Sequence, residues 1–174
     1  MIDYLRANLW AGLRTSPFMA PLKAWALVPL FALVALPTGF ATGLFTVGPP
    51  DSALAPLLPL TLFVFPSLLE EAFFRGVLIP RDIANLGTAA AVRAGAISTV
   101  AFVLWHPLNA LTVNPTAMPL FLNPWFLFIT VALGIACSYG YIVSRSVWVP
   151  VIIHWATVTV WVLLLGGRNL VLAQ

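Results

Sequence analysis

From Leu54 to Ile79 the chain reads LAPLLPLTLFVFPSLLEEAFFRGVLI. The stretch is apolar over nearly its whole length, yet its second half carries Glu70, Glu71 and Arg75. A helix crosses the hydrocarbon core of a bilayer with about 20 apolar residues. Each ionisable side chain at its centre costs about 2.5–3.5 kcal/mol on insertion scales, so such groups face a protein interior and mark function. This stretch is therefore read as a membrane span with a buried polar site.

Outward from it, comparable apolar runs occur at about 22–46, 94–113, 125–143 and 147–165. With 54–79 they predict an all-α, polytopic transmembrane helical bundle of about five spans. Pro107, inside the 94–113 run, is expected to kink or end its helix. Residues 1–20 differ: Ile2, Leu5, Leu9 and Leu13 recur at helical spacing, with Arg6 and Arg14 set off from them. That pattern predicts an amphipathic helix lying in the membrane interface. The chain thus divides into an interfacial segment, 1–20, and one transmembrane domain, 21–174, whose motif-bearing core runs from about 54 to 165. Gly48-Pro49-Pro50-Asp51-Ser52 reads as a turn, and Arg81, Asp82, Asn85 and Arg93 as a short polar link.

Composition agrees. Of 174 residues, 61% are hydrophobic and 7% charged, with mean hydropathy +1.03. Soluble domains carry about 25% charged residues. A soluble globule, a disordered chain and a disulfide scaffold are excluded; the single Cys137 forms no intrachain bridge. The net charge of +3 comes from basic residues scattered between apolar runs, so they are topology signals and not a nucleic-acid surface. With five spans, Arg6, Arg14, Lys23, Arg81, Arg93 and Arg145 fall on one side, and Arg168 with Asp51 on the other. This predicts an integral membrane protein with its N-terminus in the cytoplasm and its C-terminus outside. No compact apolar stretch with a cleavage site opens the chain, so no cleaved signal peptide is expected.

The chain's two histidines, His106 and His154, lie in two other spans. At 1.5 Å per residue, Glu70 lies about 16 Å from Arg81, His106 about 20 Å from Arg93, and His154 about 14 Å from Arg145. All three depths are measured from one side, as a shared site requires. Glu70 and Glu71 point about 100° apart on a helix. Glu71 and Arg75 are four apart with the acid first, the favourable order for an ion pair. They are assigned to a supporting pair, which leaves Glu70 facing the site. A carboxylate beside imidazoles suits water activation and oxyanion stabilisation. Glu70, His106 and His154 are also a plausible zinc set, so a divalent metal stays open on the residues alone. Trp105 reads as a packing or interface residue, Gly134 as close helix packing, and Asn109, three residues after His106, as a group able to orient the imidazole.

Glu70-Glu71-Ala72-Phe73-Phe74-Arg75 matches an EExxxR motif, Phe102-Val103-Leu104-Trp105-His106 an FxxxH motif, and His154 a third-motif histidine. In these residues the chain resembles the CAAX protease and bacteriocin-processing (Abi) family of glutamic intramembrane proteases. The resemblance implies that Glu70 activates water with His106, that Glu71 and Arg75 support the site, and that His154 helps form an oxyanion hole. It implies no cofactor, a peptide or protein substrate that is membrane-associated or C-terminally tagged, and, for so short a chain, a bacterial inner membrane. One position departs from the pattern. The third motif usually has a polar residue four positions after its histidine, and here Val158 stands there. Thr157 is the nearest hydroxyl on that face. Two other functions stay open: a catalytically inactive immunity or adaptor protein on the same scaffold, and a proton-coupled transporter.

Overall fold

The computed structural model describes residues 2–48 and 55–167. The described residues are helical, with no strand beyond one isolated bridge between Gly48 and Leu165. Helix α1 spans Ile2–Arg14 and α2 spans Leu27–Ala41, entered through a 3₁₀ turn at Leu22–Trp25. A broken helix, α3, covers Ala55–Val77. Then come α4 (Thr88–Thr112), α5 (Pro124–Ser144) and α6 (Trp148–Leu164). The Gly48–Ser52 turn and the Asp51/Arg168 side of the charge asymmetry reach outside the described residues.

Among the described residues, four helices are long and apolar enough to cross a membrane: Leu22–Ala41, Ala55–Val77, Thr88–Thr112 and Pro124–Ser144. The last apolar helix, α6, has 17 residues. At 1.5 Å per residue it is about 26 Å long, slightly less than the hydrocarbon thickness of about 30 Å.

Two boundaries correct the sequence reading. Helix α4 begins at Thr88, so Arg93 belongs to its second turn and not to the preceding link. The alanines before Arg93 are strong helix formers, and Gly87, at φ 94°, sets the sharp entry. Nor does Pro107 end the helix, which runs on to Thr112. Tertiary packing of this long helix overrides the loss of one backbone donor.

Helix α5 is central and packs against α4, α2 and α6. Its start is fixed by Asn123, whose side chain accepts from the backbone N–H of Trp125 (2.9 Å) and Phe126 (3.3 Å), with Pro124 in the first turn. Helix α4 shows how the bundle is turned inside out relative to a soluble protein. Val92, Ile97, Val100, Leu104, Leu108 and Leu111 are exposed at helical spacing, whereas Ser98, Thr99, His106 and Asn109 are buried. In lipid the outer face gains nothing from polarity, so polar groups collect where they can bond to neighbouring helices. Ser98 donates to the Phe74 carbonyl (2.7 Å), and the Thr99 and Ser138 hydroxyls bond each other (3.2 Å).

Helix α1 is fastened to the bundle's basic end as well as amphipathic. Buried Asn8 donates to the carbonyls of Gly76 (2.8 Å) and Ile79 (3.0 Å) and accepts from the Arg81 N–H (2.8 Å). Trp148 Nε1 donates to the Leu13 carbonyl at 2.6 Å. Leu9 and Leu13 pack against the buried cluster around Tyr141 and Val147.

Candidate active site

Helix α3 is broken where the sequence demands it. Phe65 has φ −134° and ψ 125°, the extended backbone that a following proline, here Pro66, imposes. The helix then resumes, makes one α turn over Leu69–Glu71 and widens over Ala72–Val77, where Leu78 N bonds to Phe73 O across five residues at 3.2 Å. Wide turns of this kind are frequent at functional sites. Glu70 and Glu71 leave this stretch in different directions, and the site has two layers as a result.

The inner layer is a polar knot. Glu71 Oε1 accepts from Arg75 Nη1 (2.9 Å) and from His154 Nδ1 (2.8 Å). Arg75 Nη2 donates to the Gly134 carbonyl at 3.1 Å. The guanidinium carbon lies 4.4 Å from the Phe102 ring centroid, a cation–π contact. Glu71 and Arg75 are both 0% exposed. Glycine at 134 serves the close packing of α5 on α4, because a Cβ there would sit 2.8 Å from Thr99 Cγ2.

The outer layer faces a cavity of about 680 Å³. Glu70, His106 and His154 line it, with Asn109, Thr157 and Val158; most of the remaining lining is apolar, including Phe31 of α2 and Trp161 of α6. Glu70 Oε1 accepts from Trp105 Nε1 at 3.1 Å, while its buried Oε2 has no hydrogen-bond partner among the described residues. His106 Nδ1 lies 3.0 Å from the Phe102 carbonyl. A carbonyl only accepts, so Nδ1 carries the proton and Nε2 of a neutral ring keeps its lone pair. Edge-to-face contacts with Phe102, Phe121 and Phe126, at 5.1, 5.1 and 5.5 Å, hold the ring.

Thus Glu70, His106 and His154 come to one wall, and Glu71 and Arg75 lie behind it. The supporting residues fall differently from the sequence reading. Asn109 lines the cavity, but the Phe102 carbonyl, not Asn109, is bonded to the imidazole. The Thr157 hydroxyl donates back to the Ile153 carbonyl at 2.8 Å. Among the described residues, no three His, Cys, Asp or Glu side chains are grouped so as to hold a metal ion.

Sequence reasoning missed three contributors. Trp105, read as packing, is the hydrogen-bond donor to Glu70. Gly134, read as close packing, also gives its carbonyl to Arg75. Phe102 touches His106, His154 (5.6 Å between centroids) and Arg75 together. The signal was available for Phe102, which lies four residues before His106 and hence on its face of the helix. A residue next to a histidine, like Trp105, points elsewhere on its own helix and gives no such sign.

A family profile described as Type II CAAX prenyl endopeptidase Rce1-like matches residues 52–160, well over half of the chain. The chain belongs to this family. The match begins just before α3, ends within α6 and so includes all three motifs. No curated protein and no solved structure gives a significant match. Membership in the Rce1-like CAAX endopeptidases, with several helices able to cross a bilayer, makes this an integral membrane protein of a protease family.

Proposed function

We propose that the protein is a glutamic intramembrane endopeptidase that hydrolyses a peptide bond of a membrane-associated or C-terminally tagged substrate. Glu70 is the base. Trp105 fixes one of its oxygens, the other has no partner among the described residues, and Glu70, unlike Glu71, lines the cavity. This single observation carries the reading, because a general base needs a lone pair within reach of a water molecule. His106 Nε2, with Nδ1 held by the Phe102 carbonyl, accepts from the same water and orients it.

His154 takes the electrophilic side. Its Nδ1 faces the Glu71 carboxylate, so a ring protonated at both nitrogens presents Nε2–H to the cavity. The apolar lining suits a substrate with a long hydrophobic segment or side group. Arg6, Arg14, Lys23, Arg81, Arg93 and Arg145 favour a cytoplasmic N-terminus.

The test compares protein termini in membranes carrying wild type or Glu70→Gln at equal abundance. New termini found only with wild type are expected. Identical termini in the two membranes would favour a catalytically inactive adaptor or immunity protein instead, for which Val158, a cavity residue with no polar atom in its side chain, is the observation in favour.

A further inference from the structure

We propose that the side-chain amide of Asn109 is the neutral hydrogen-bond donor that binds the substrate's scissile carbonyl and holds the oxyanion formed from it. The proposal rests on the hydrolytic reading of the same cavity, and a census of donors carries it. Nearly every other polar side chain on the wall has its hydrogen committed. Trp105 Nε1 donates to Glu70 (3.1 Å) and Trp161 Nε1 to the Leu44 carbonyl (3.3 Å). The Thr130 hydroxyl donates to the Phe126 carbonyl and that of Thr157 to the Ile153 carbonyl, each at 2.8 Å. His106 Nδ1 is used by Phe102 (3.0 Å), and His154 Nδ1 by Glu71 (2.8 Å). Asn114 lines the cavity too, but it is exposed in the loop after α4.

Asn109 remains. It is 7% exposed, it lines the cavity, and its side-chain amide donates to no group among the described residues. It stands three residues from His106, which places the two side chains on one face of α4. The amide is not among the buried polar atoms without a partner, so in a cavity-lining residue it stays accessible to a ligand that would accept from it. Unlike His154, whose Nε2 donates only when the ring is doubly protonated, an amide donates in every protonation state of the site.

In the reaction, a proton passes from water to Glu70 and the water oxygen bonds to the carbonyl carbon. The C=O electron pair moves onto oxygen, where Asn109 Nδ2–H donates to it. The pair then returns, the C–N bond breaks, and the amine leaves with the proton from Glu70. The products are one carboxylic acid and one amine, and water is the only co-reactant.

The experiment follows the rate at which wild-type-specific termini appear in membranes carrying Asn109→Leu at wild-type abundance. Leucine keeps the amide's shape and removes its donor. A loss of about 10²–10³-fold is expected, the effect of deleting one oxyanion donor, with the unfolding temperature of the purified variant retained. With a quenched peptide spanning the mapped cleavage site, the loss falls on kcat and leaves KM nearly unchanged. A donor returned across the cavity, in Asn109→Leu/Val158→Asn, restores at least part of the rate. Wild-type turnover in Asn109→Leu, a loss that follows a fall in unfolding temperature, or no recovery in the double variant would overturn the proposal. If termini vanish in Glu70→Gln while Asn109→Leu cleaves normally, only this proposal fails; if Glu70→Gln also cleaves, the reading of Glu70 as base fails.

Discussion

Glu70 and Glu71 are consecutive residues with the same side chain in two different regions of the molecule. Glu71 enters a closed knot, where one oxygen serves both Arg75 and His154 and no part of the residue is exposed. Glu70 enters the cavity, where one oxygen is steadied by a tryptophan and the other has no protein partner. The difference comes from the helix, because neighbouring residues point about 100° apart. Each carboxylate leaves its Oε2 without a partner among the described residues; what separates the two is the cavity, which Glu70 lines and Glu71 does not. One short motif supplies both by placing them side by side.

If that division is right, the two positions fail in opposite ways. Glu70→Gln has the largest effect on activity, a loss of about 10²–10⁴-fold, the usual contribution of a general base. Its thermal unfolding in detergent stays near wild type, since the amide still accepts from Trp105. At the knot the loss appears in stability. Arg75→Leu leaves the buried Glu71 carboxylate with His154 as its one partner among the described residues, and removing one partner of a buried pair costs about 3–5 kcal/mol. Glu71→Gln costs less, because its amide oxygen still accepts from Arg75. The double variant Glu71→Gln/Arg75→Leu, with no buried charge left uncompensated, recovers part of the stability lost in Arg75→Leu. A stable but inactive Glu71→Gln beside an unstable Glu70→Gln would exchange the two roles.

A smaller effect is expected at the basic end of the bundle. Asn8 ties α1 to the stretch that follows the EExxxR motif, through Gly76, Ile79 and Arg81. Asn8→Ala leaves those backbone groups unpaired and is expected to destabilise by about 1–3 kcal/mol. Protease nicking within residues 2–14 should rise in this variant while Glu70→Gln is nicked like wild type. Equal resistance in all three would mean that α1 is held by the apolar contacts of Leu9 and Leu13 alone.

Much of this was legible because a bilayer makes a sequence read plainly. Apolar runs gave the helices, and charges inside them gave the site, since lipid tolerates neither exposed backbone nor stray charge. Helix periodicity separated Glu70 from Glu71 before any coordinates. Contacts made through backbone atoms were hidden. The carbonyls of Phe102 and Gly134, which hold His106 and Arg75, carry no side-chain signature. The start of α4 was misjudged because local rules weigh a polar link, whereas the helix answers to packing along its whole length; of the two outcomes expected at Pro107, the helix does not end there. Asn8 was invisible for a similar reason: its partners are backbone groups of residues 76, 79 and 81, far away in sequence.

The last comparison is between the chemistry available to the two layers, and its expected effect is the smallest. A zinc ion at Glu70 would need both imidazoles to turn a lone pair toward it at about 2.0–2.1 Å. Each ring has its Nδ1 taken by a neighbour and could do so through Nε2, but in the proposed reaction His154 Nε2 serves as a donor. A ligand and a hydrogen-bond donor cannot be the same nitrogen. Treatment with EDTA followed by gel filtration is therefore expected to leave the rate of termini production unchanged. A loss that zinc restores would move His154 from the donor side of the site to a ligand set with Glu70 and His106. It would also require Asn109→Leu to retain most of its turnover, because a metal would then stabilise the oxyanion in place of the amide.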